Sequence, residues 1–262
     1  MDRNQLCVKQ NDLFITLCKF DEFCKRENIK YFICAGTLLG AVKYQDFIPW
    51  DDDLDVYILR SDFNKMLDRI SNLNGYDLKL VKVFFNDRIV STTLGRNNFI
   101  DISVLDSAPT GWLSAKLITA AQLIMRACLY DRIILNQKGL YNKSLFLVRV
   151  LISRIIRLCV SKKNIYRFQT WLCCYFNAEN SSFLYLGSSD SRYLKTVFPT
   201  EWFDQSEHYK FRNSYFPSMK FPGDYLEQQY GDISIDPPLE LQVPQHSGLN
   251  SFIYDFYSES IK

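Results

Sequence analysis

The chain reads as an α+β protein, a mixed sheet flanked by helices with a basic helical segment inserted before the sheet domain is completed. Three observations lead there. Apolar runs of strand length alternate with helix-compatible stretches between residues 31 and 105. A cation-rich, helix-patterned stretch then follows. An aromatic, Pro- and Gly-punctuated segment ends the chain. The expected division is 1–110 for the catalytic core, 111–180 for the basic helical insertion, and 181–262 for a segment that completes the core and covers the site. With 262 residues, 47% hydrophobic, 20 Phe and 16 Tyr, there is ample material for a core, and disorder is excluded.

Taken in order, residues 4–27 space Leu6, Leu13, Leu17, Phe20 and Cys24 as the buried stripe of an amphipathic helix. Tyr31 to Ala35 is an apolar strand ending in Gly36-Thr37, and Leu38 to Val42 suits a short helix. Pro49 breaks the chain before Asp51-Asp-Asp-Leu-Asp55, and Val56 to Leu59 is a second apolar strand. Ser61-Asp62 is expected to cap a helix through Phe63, Met66, Leu67 and Ile70 that closes at Asn74-Gly75. Strands are expected over Leu78 to Phe85, Ile89 to Leu94 and Asn98 to Leu105, with turns at Asn86-Asp87 and Gly95-Arg-Asn97. Near the end, Pro222-Gly223-Asp224 reads as a turn and cap before a short helix, Tyr225 to Tyr230, stopped by Gly231.

The acids carry the chemistry. Strand side chains alternate faces, so Asp51, Asp53 and Asp55 share one side if the strand begins that early. Carboxylates that close repel one another unless a positive charge sits among them. Oxygen donors without a nearby His or Cys favour Mg²⁺ or Mn²⁺. A solvated acidic turn is the bland alternative. An EF-hand loop is excluded, because Val56 and Asp62 stand where that loop needs Gly and Glu. Asp51-Asp52-x-x-Asp55 also spells a diphosphate motif of prenyl-transfer enzymes, but that motif resembles one carried on helices, and Pro49 with the β-branched and aromatic residues downstream points to a strand. A glycine at a strand-to-helix turn lets backbone approach a ligand, and the helix N-terminus that follows favours an anion. Gly36 is therefore a candidate phosphate contact, Thr37 is expected to cap that helix or touch a phosphate oxygen, and Lys43 is taken as a further candidate phosphate contact. Asp101 lies between Ile100 and Ile102, pointing away from the apolar face, where an unpaired charge is costly.

A Gly-Thr turn joined to a D-x-D strand resembles the signature of the nucleotidyltransferase fold. The finer spelling, Leu39-Gly-Ala-Val-Lys43 followed by Phe47-Ile-Pro-Trp-Asp-Asp-Asp-Leu-Asp-Val56, is similar to the LicD family of phosphorylcholine and related polyol-phosphate transferases, to which fukutin-type enzymes are distantly related. Phe99-Ile-Asp-Ile-Ser-Val-Leu-Asp-Ser-Ala-Pro109, Phe198-Pro-Thr-Glu-Trp-Phe-Asp204 and the run from Phe216 to Asp232 before Pro237-Pro238 extend the likeness. The chain has Lys43-Tyr-Gln-Asp46 where the family commonly has Arg-His-x-Gly, a departure expected to bear on the donor or acceptor pocket.

The resemblance implies a metal held by Asp53, Asp55 and Asp101. It implies transfer of a phospho-alcohol, plausibly phosphocholine, from a CDP-linked donor to a glycan or glycolipid hydroxyl with release of CMP; Asp51, which need not be a metal ligand, is the candidate acceptor of the hydroxyl proton. The alternatives are a D-x-D glycosyltransferase using a nucleotide-sugar and a non-catalytic membrane adaptor.

Net charge is only +2, yet Lys116, Arg126, Arg132, Lys138, Lys143, Arg149, Arg154, Arg157, Lys162, Lys163 and Arg167 face Asp131 alone between residues 107 and 178, a local net of +10. An anionic membrane surface and a phosphate-rich substrate are the expected partners for that stretch; no nucleic-acid recognition motif supports a nucleic-acid partner. Eight cysteines without a C-x-x-C, with His208 and His246 the two histidines, exclude a clustered zinc site, and Cys173-Cys174 are expected as reduced thiols. The charged N-terminus and the lack of a long uncharged apolar run predict a cytoplasmic protein, peripheral at most on the cytosolic face of a membrane.

Overall fold

The computed structural model describes residues 1–83, 86–95, 97–109, 111–129, 151–152, 154–175, 181–186, 197–244 and 253–254. Arg132, Lys138, Lys143, Arg149 and His246 lie outside them, as does the side chain of Arg126. In chain order the elements are α1 (Arg3–Arg26), β1 (Phe32–Ile33), α2 (Ala35–Tyr44), β2 (Asp55–Leu59), α3 (Arg60–Asp68), β3 (Leu78–Val83), β4 (Asn86–Ser91), β5 (Phe99–Ser107), α4 (Trp112–Leu129), α5 (Lys162–Tyr175), β6 (Phe183–Leu186), β7 (Val197–Pro199), β8 (Ser206–Phe211), β9 (Ser214–Met219), α6 (Pro222–Tyr230) and β10 (Ile253–Tyr254). The expected α+β class, a mixed sheet flanked by helices, is what forms. The chain divides into two compact units, Met1–Leu105 with Phe198–Lys262, and Asp106–Val197.

In the first unit the strand order is β1-β2-β5-β4-β3-β10. The β2–β5 pair is parallel and the other pairs along this path are antiparallel. Helix α1 packs on β3 and β4. Its stripe of Leu13, Leu17, Phe20 and Cys24 is buried as its spacing predicts, and Asp2 with Gln5 closes a reciprocal capping box at its start. Beneath β2 lies an aromatic cluster. Tyr57, Phe198, Phe203 and Tyr225 pack with ring centroids 5.5–6.3 Å apart, and the Tyr57 and Tyr225 hydroxyls share a hydrogen bond of 3.0 Å. The aromatic-acid motif around Phe198 is thus core packing that fixes β2.

Several local expectations need correction. The first strand is only Phe32–Ile33: Cys34 N–H still donates in register to the Asp55 carbonyl (3.1 Å), but Asp55 N–H goes to Thr37 Oγ1 and Ala35 adopts a left-handed backbone (φ 46°). Helix α2 therefore starts at Ala35 and takes in Gly36 and Thr37. Asn86 and Asp87 are not a turn; they pair with Val83 and Lys82, and β4 begins three residues before the apolar run does. Ladder hydrogen bonds and a buried Lys82–Asp87 ion pair (3.0 Å) outweigh the turn propensity of those two residues. Ser61 and Asp62 do not cap α3, whose N-cap is Leu59; a 3₁₀ segment, Ile70–Tyr76, carries the chain to the turn. Pro222 occupies the first turn of α6, so Pro222-Gly-Asp224 is helix rather than a preceding turn.

The loop between α2 and β2 is held from two sides. At the β8–β9 turn Arg212 donates through its backbone N–H to the Gln45 carbonyl (2.6 Å), through Nε to Asp46 Oδ1 (2.6 Å) and through Nη1 to Asn11 Oδ1 (2.7 Å). Its guanidinium lies 4.9 Å from the Phe47 ring centroid. On the other side the loop presses on α2 at Gly40, where a Cβ would stand 2.5 Å from the Asp46 carbonyl oxygen and 3.1 Å from Ile48 N.

In the second unit α4 packs on α5, with Ala108, Ile118 and Tyr185 forming a small core. Residues 151–152 and 154–159 are also helical. Cys173 is buried, Cys174 is half-buried, and both are free thiols. Among the described residues no helix is long and apolar enough to cross a membrane.

Gly40→Ala tests the loop packing. Replacing a helical glycine with alanine ordinarily adds about 1 kcal/mol of stability; here backbone in the way makes the expected outcome a loss of about 1–3 kcal/mol, read as a lower urea midpoint. A raised midpoint would refute the close approach.

Candidate active site

The acids meet because of sheet register. Asp55 of β2 pairs with Asp101 of β5, and Asp101 pairs on its other side with Arg88 of β4, so three side chains form one row across adjacent strands. β2 begins only at Asp55, so the expected strand through Asp51 and Asp53 does not form. Asp53 is brought in by the chain just before it, where Asp101 N–H donates to the Leu54 carbonyl (2.7 Å). One carboxylate oxygen from each of Asp53, Asp55 and Asp101 lies within 4.8 Å of the other two. Oxygens sharing one Mg²⁺ at about 2.1 Å stand roughly 3–4 Å apart, within a small side-chain adjustment of that span.

Electrostatics gives the same reading. The Asp55 carboxyl is held well above the usual carboxylate range, first by burial and then by Asp53, Asp101 and Asp51, with Arg88 opposing. The buried Cys34 thiol is pushed up by burial and then by Asp55, Asp53 and Asp101, which places it beside the cluster. Hard oxygen donors with a surplus of buried negative charge fit a divalent cation. Arg88 donates from Nε to Asp101 Oδ1 and from Nη2 to Asp101 Oδ2, the latter at 3.0 Å. A carboxylate has about four lone-pair sites, so Asp101 keeps acceptor capacity for a cation.

Asp51 and Asp52, the first acids of the loop, have divided tasks. Asp52 is fully buried and paired with Lys9 of α1 (2.8 Å). Gln10, also of α1, donates from Nε2 to the Asp51 carbonyl (2.9 Å). The Asp51 side chain accepts from Asp52 N–H at Oδ1 (3.0 Å), and its Oδ2 lies 2.6 Å from where a Cβ on Gly36 would be. A carboxylate is thus seated at the N-terminal turn of α2, where the helix dipole favours negative charge. At Gly36 the close approach that requires a glycine is to the Asp51 carboxylate of the chain itself.

Thr37 and Lys43 are placed differently from expectation. Thr37 is buried, neither caps α2 nor faces outward, and its Oγ1 accepts from Asp55 N–H (2.8 Å). It positions the first metal-candidate strand residue. Lys43 sits seven residues beyond Gly36, roughly 10 Å along the helix. Its ammonium donates to the Ile233 carbonyl (2.8 Å) and pairs with Asp236 (2.7 Å), so the structure does not bring it to the carboxylates. Tyr44 donates to the same Asp236 oxygen (2.5 Å). The two departures from the family spelling, Tyr44 and Asp46, are therefore both used in contacts within the chain.

With this geometry established, comparison with known proteins is decisive. Residues 28–117 match the family model described as LicD/FKTN/FKRP, nucleotidyltransferase domain. The chain is 26% identical over 246 residues, 87% of its length and 90% of the relative's, to the lipopolysaccharide cholinephosphotransferase LicD of Haemophilus influenzae. Residues 28–117 are thus a LicD-type nucleotidyltransferase domain. With the named relative, that domain marks the chain as a transferase. Two rickettsial proteins of uncharacterised function match shorter stretches: one from Rickettsia typhi is 46% identical over 66 residues (24% of this chain, 21% of its own), and one from Rickettsia prowazekii is 56% identical over 41 residues.

Sequence reasoning missed five contributors to this site. Arg88 was hidden in what looked like a turn; a charged pair just before an apolar run was its signal. Lys9 and Gln10 act from a helix whose charged face reads as solvated. Tyr225 donates or accepts from within α6, with its hydroxyl accepting from Ala35 N–H (3.1 Å). Tyr230, at the end of α6, has its phenol pushed up by burial and then by Asp55, Cys34, Asp51 and Asp53, which sets it against the acid cluster.

The raised Asp55 carboxyl makes metal dependence visible in stability. A folded value above the ordinary 3.8 stabilises the metal-free protein below that pH and is lost as pH rises through the raised value. The stabilisation by Mg²⁺ or Mn²⁺, measured as the rise in Tm over an EDTA control, should accordingly grow as pH rises and vanish in Asp55→Asn. A Tm insensitive to both cations across the pH range would count against the site.

Proposed function

We propose that this LicD-type enzyme transfers a phospho-alcohol, phosphocholine in the first instance, from a CDP-linked donor to a hydroxyl of a lipopolysaccharide or related glycan, releasing CMP. The observation that carries the reading is the convergence of Asp53, Asp55 and Asp101 beside the N-terminal turn of α2. The relative's activity, on choline phosphate and lipopolysaccharide, supports the substrate class.

Asp53, Asp55 and Asp101 would hold the cation, with Mg²⁺ favoured by the all-oxygen donor set. When bound, that ion neutralises diphosphate charge and stabilises the leaving nucleotide. The remaining work belongs to the chain. Arg88 orients Asp101 through two hydrogen bonds, and Thr37 holds the backbone of Asp55. Asp51, half-buried above Gly36, takes the proton from the acceptor hydroxyl as that oxygen attacks the phosphorus bearing the alcohol. The bond from that phosphorus to the bridging oxygen breaks, its electron pair leaves with CMP, and a phosphodiester remains. Buried aromatic packing of Tyr57 and Tyr225 keeps the carboxylate-bearing strand rigid against the helix that carries Gly36.

Screening CDP-choline, CDP-glycerol and CDP-ribitol with a glycan acceptor and Mg²⁺ should show metal-dependent CMP release, fastest with CDP-choline. Asp53→Asn should lower turnover about a hundredfold or more with a Tm in EDTA no lower than the parent's, since one repelling carboxylate is gone. Arg88→Lys should retain more activity than Arg88→Ala, because one of the two hydrogen bonds to Asp101 survives. Release of UDP or GDP from a nucleotide-sugar in place of CMP would replace this reading with glycosyl transfer.

A further inference from the structure

Helix α5 in the Asp106–Val197 unit has two distinct faces. Ile165, Tyr166, Gln169, Leu172 and Cys173 are buried. Phe168, Trp171 and Tyr175 are 49%, 52% and 64% exposed, and at 100° per residue they fall within an arc of about 60°. Their rings stack in a ladder, Phe168 to Trp171 at 5.4 Å and Trp171 to Tyr175 at 5.0 Å between centroids. Just upstream, Leu151, Ile155 and Leu158 are 62%, 55% and 87% exposed on a helical segment that also carries exposed Arg154 and Arg157. Residues 151–175 contain five Lys/Arg and no Asp or Glu.

An aromatic ladder and bare aliphatic residues would be a liability on a surface that meets only water. Amphipathic rings beside a purely cationic margin match the headgroup zone of an anionic bilayer, where Trp and Tyr sit at the interface and each nearby cation adds attraction. A protein partner would have to supply both a large apolar groove and a matching run of acids; the lipid surface supplies apolar depth and negative charge everywhere. No described helix has the length and hydropathy to span, so the contact is one of lying on the surface.

We propose that the exposed ladder of Phe168, Trp171 and Tyr175, together with the apolar and arginine side chains of residues 151–158, docks this unit on an anionic lipid surface. The proposal is independent of which alcohol is transferred.

Flotation of the full chain with phosphatidylcholine vesicles, with and without phosphatidylglycerol, tests it. The protein should float with the anionic vesicles, remain at the bottom with phosphatidylcholine alone, and be partly released by high salt. Phe168→Ser/Trp171→Ser should cut the bound fraction about tenfold at fixed lipid, and Arg154→Glu/Arg157→Glu should do the same, with circular dichroism and Mg²⁺-dependent CMP release from the soluble donor retained. If the serine variant misfolds, quenching of wild-type fluorescence by brominated anionic lipid, lost in Trp171→Phe, reads the same contact. Equal recovery with both vesicle types, no recovery with either, or variants that shift a monomer–dimer equilibrium in sedimentation while leaving flotation unchanged would each overturn it, the last assigning the face to a second copy of the chain.

Discussion

Everything in the first unit answers one electrostatic difficulty, that of holding several carboxylates together away from bulk water. Mutual repulsion and lost hydration both favour dispersal. What prevents it is covalent and geometric: Asp55 and Asp101 are neighbours in a parallel strand pair, a register determined by the whole apolar content of β2 and β5. A slip of one residue by either strand would send its carboxylate to the opposite face from the other. Burial and the neighbouring acids hold the Asp55 carboxyl well above the usual carboxylate range, the direction that such confinement imposes.

The loop ahead of β2 solves a second problem, that of bringing an acid to the cluster from outside the ladder. It is tied on three sides: Gln10 and Lys9 from α1, Arg212 from the β8–β9 hairpin, and Thr37 from α2. Two glycines on α2 allow the approach, one beneath the Asp51 carboxylate and one beneath the Asp46 carbonyl. The same helix therefore serves as the wall of the site and as the platform for the loop. Residues that bear the family signature turn out to differ in their work. Asp52 is a structural ion-pair partner inside a run of chemical acids, and Lys43 fastens the C-terminal segment.

The second unit has an opposite character. Where the first gathers buried acids, the second carries an acid-free, cationic stretch with apolar side chains on display.

The α+β class, the amphipathic first helix and the cluster of acids at 51–55 were legible in the order of residues alone, because local periodicity and the chemistry of neighbouring acids do not depend on distant contacts; Asp101 joined them only through the family resemblance, since its meeting with Asp55 rests on the parallel pairing of β2 and β5. Element boundaries at Ala35 and Asn86 were not legible, since a turn-prone pair becomes strand when neighbouring strands supply ladder partners. Nor could the order of residues show that Arg88 would meet Asp101, that Tyr225 would reach the start of α2 across 190 positions, or that Lys43 would be drawn toward Asp236. Those pairings are decided by strand order and by which side chains the folded chain leaves within hydrogen-bonding reach, and both are properties of the tertiary structure.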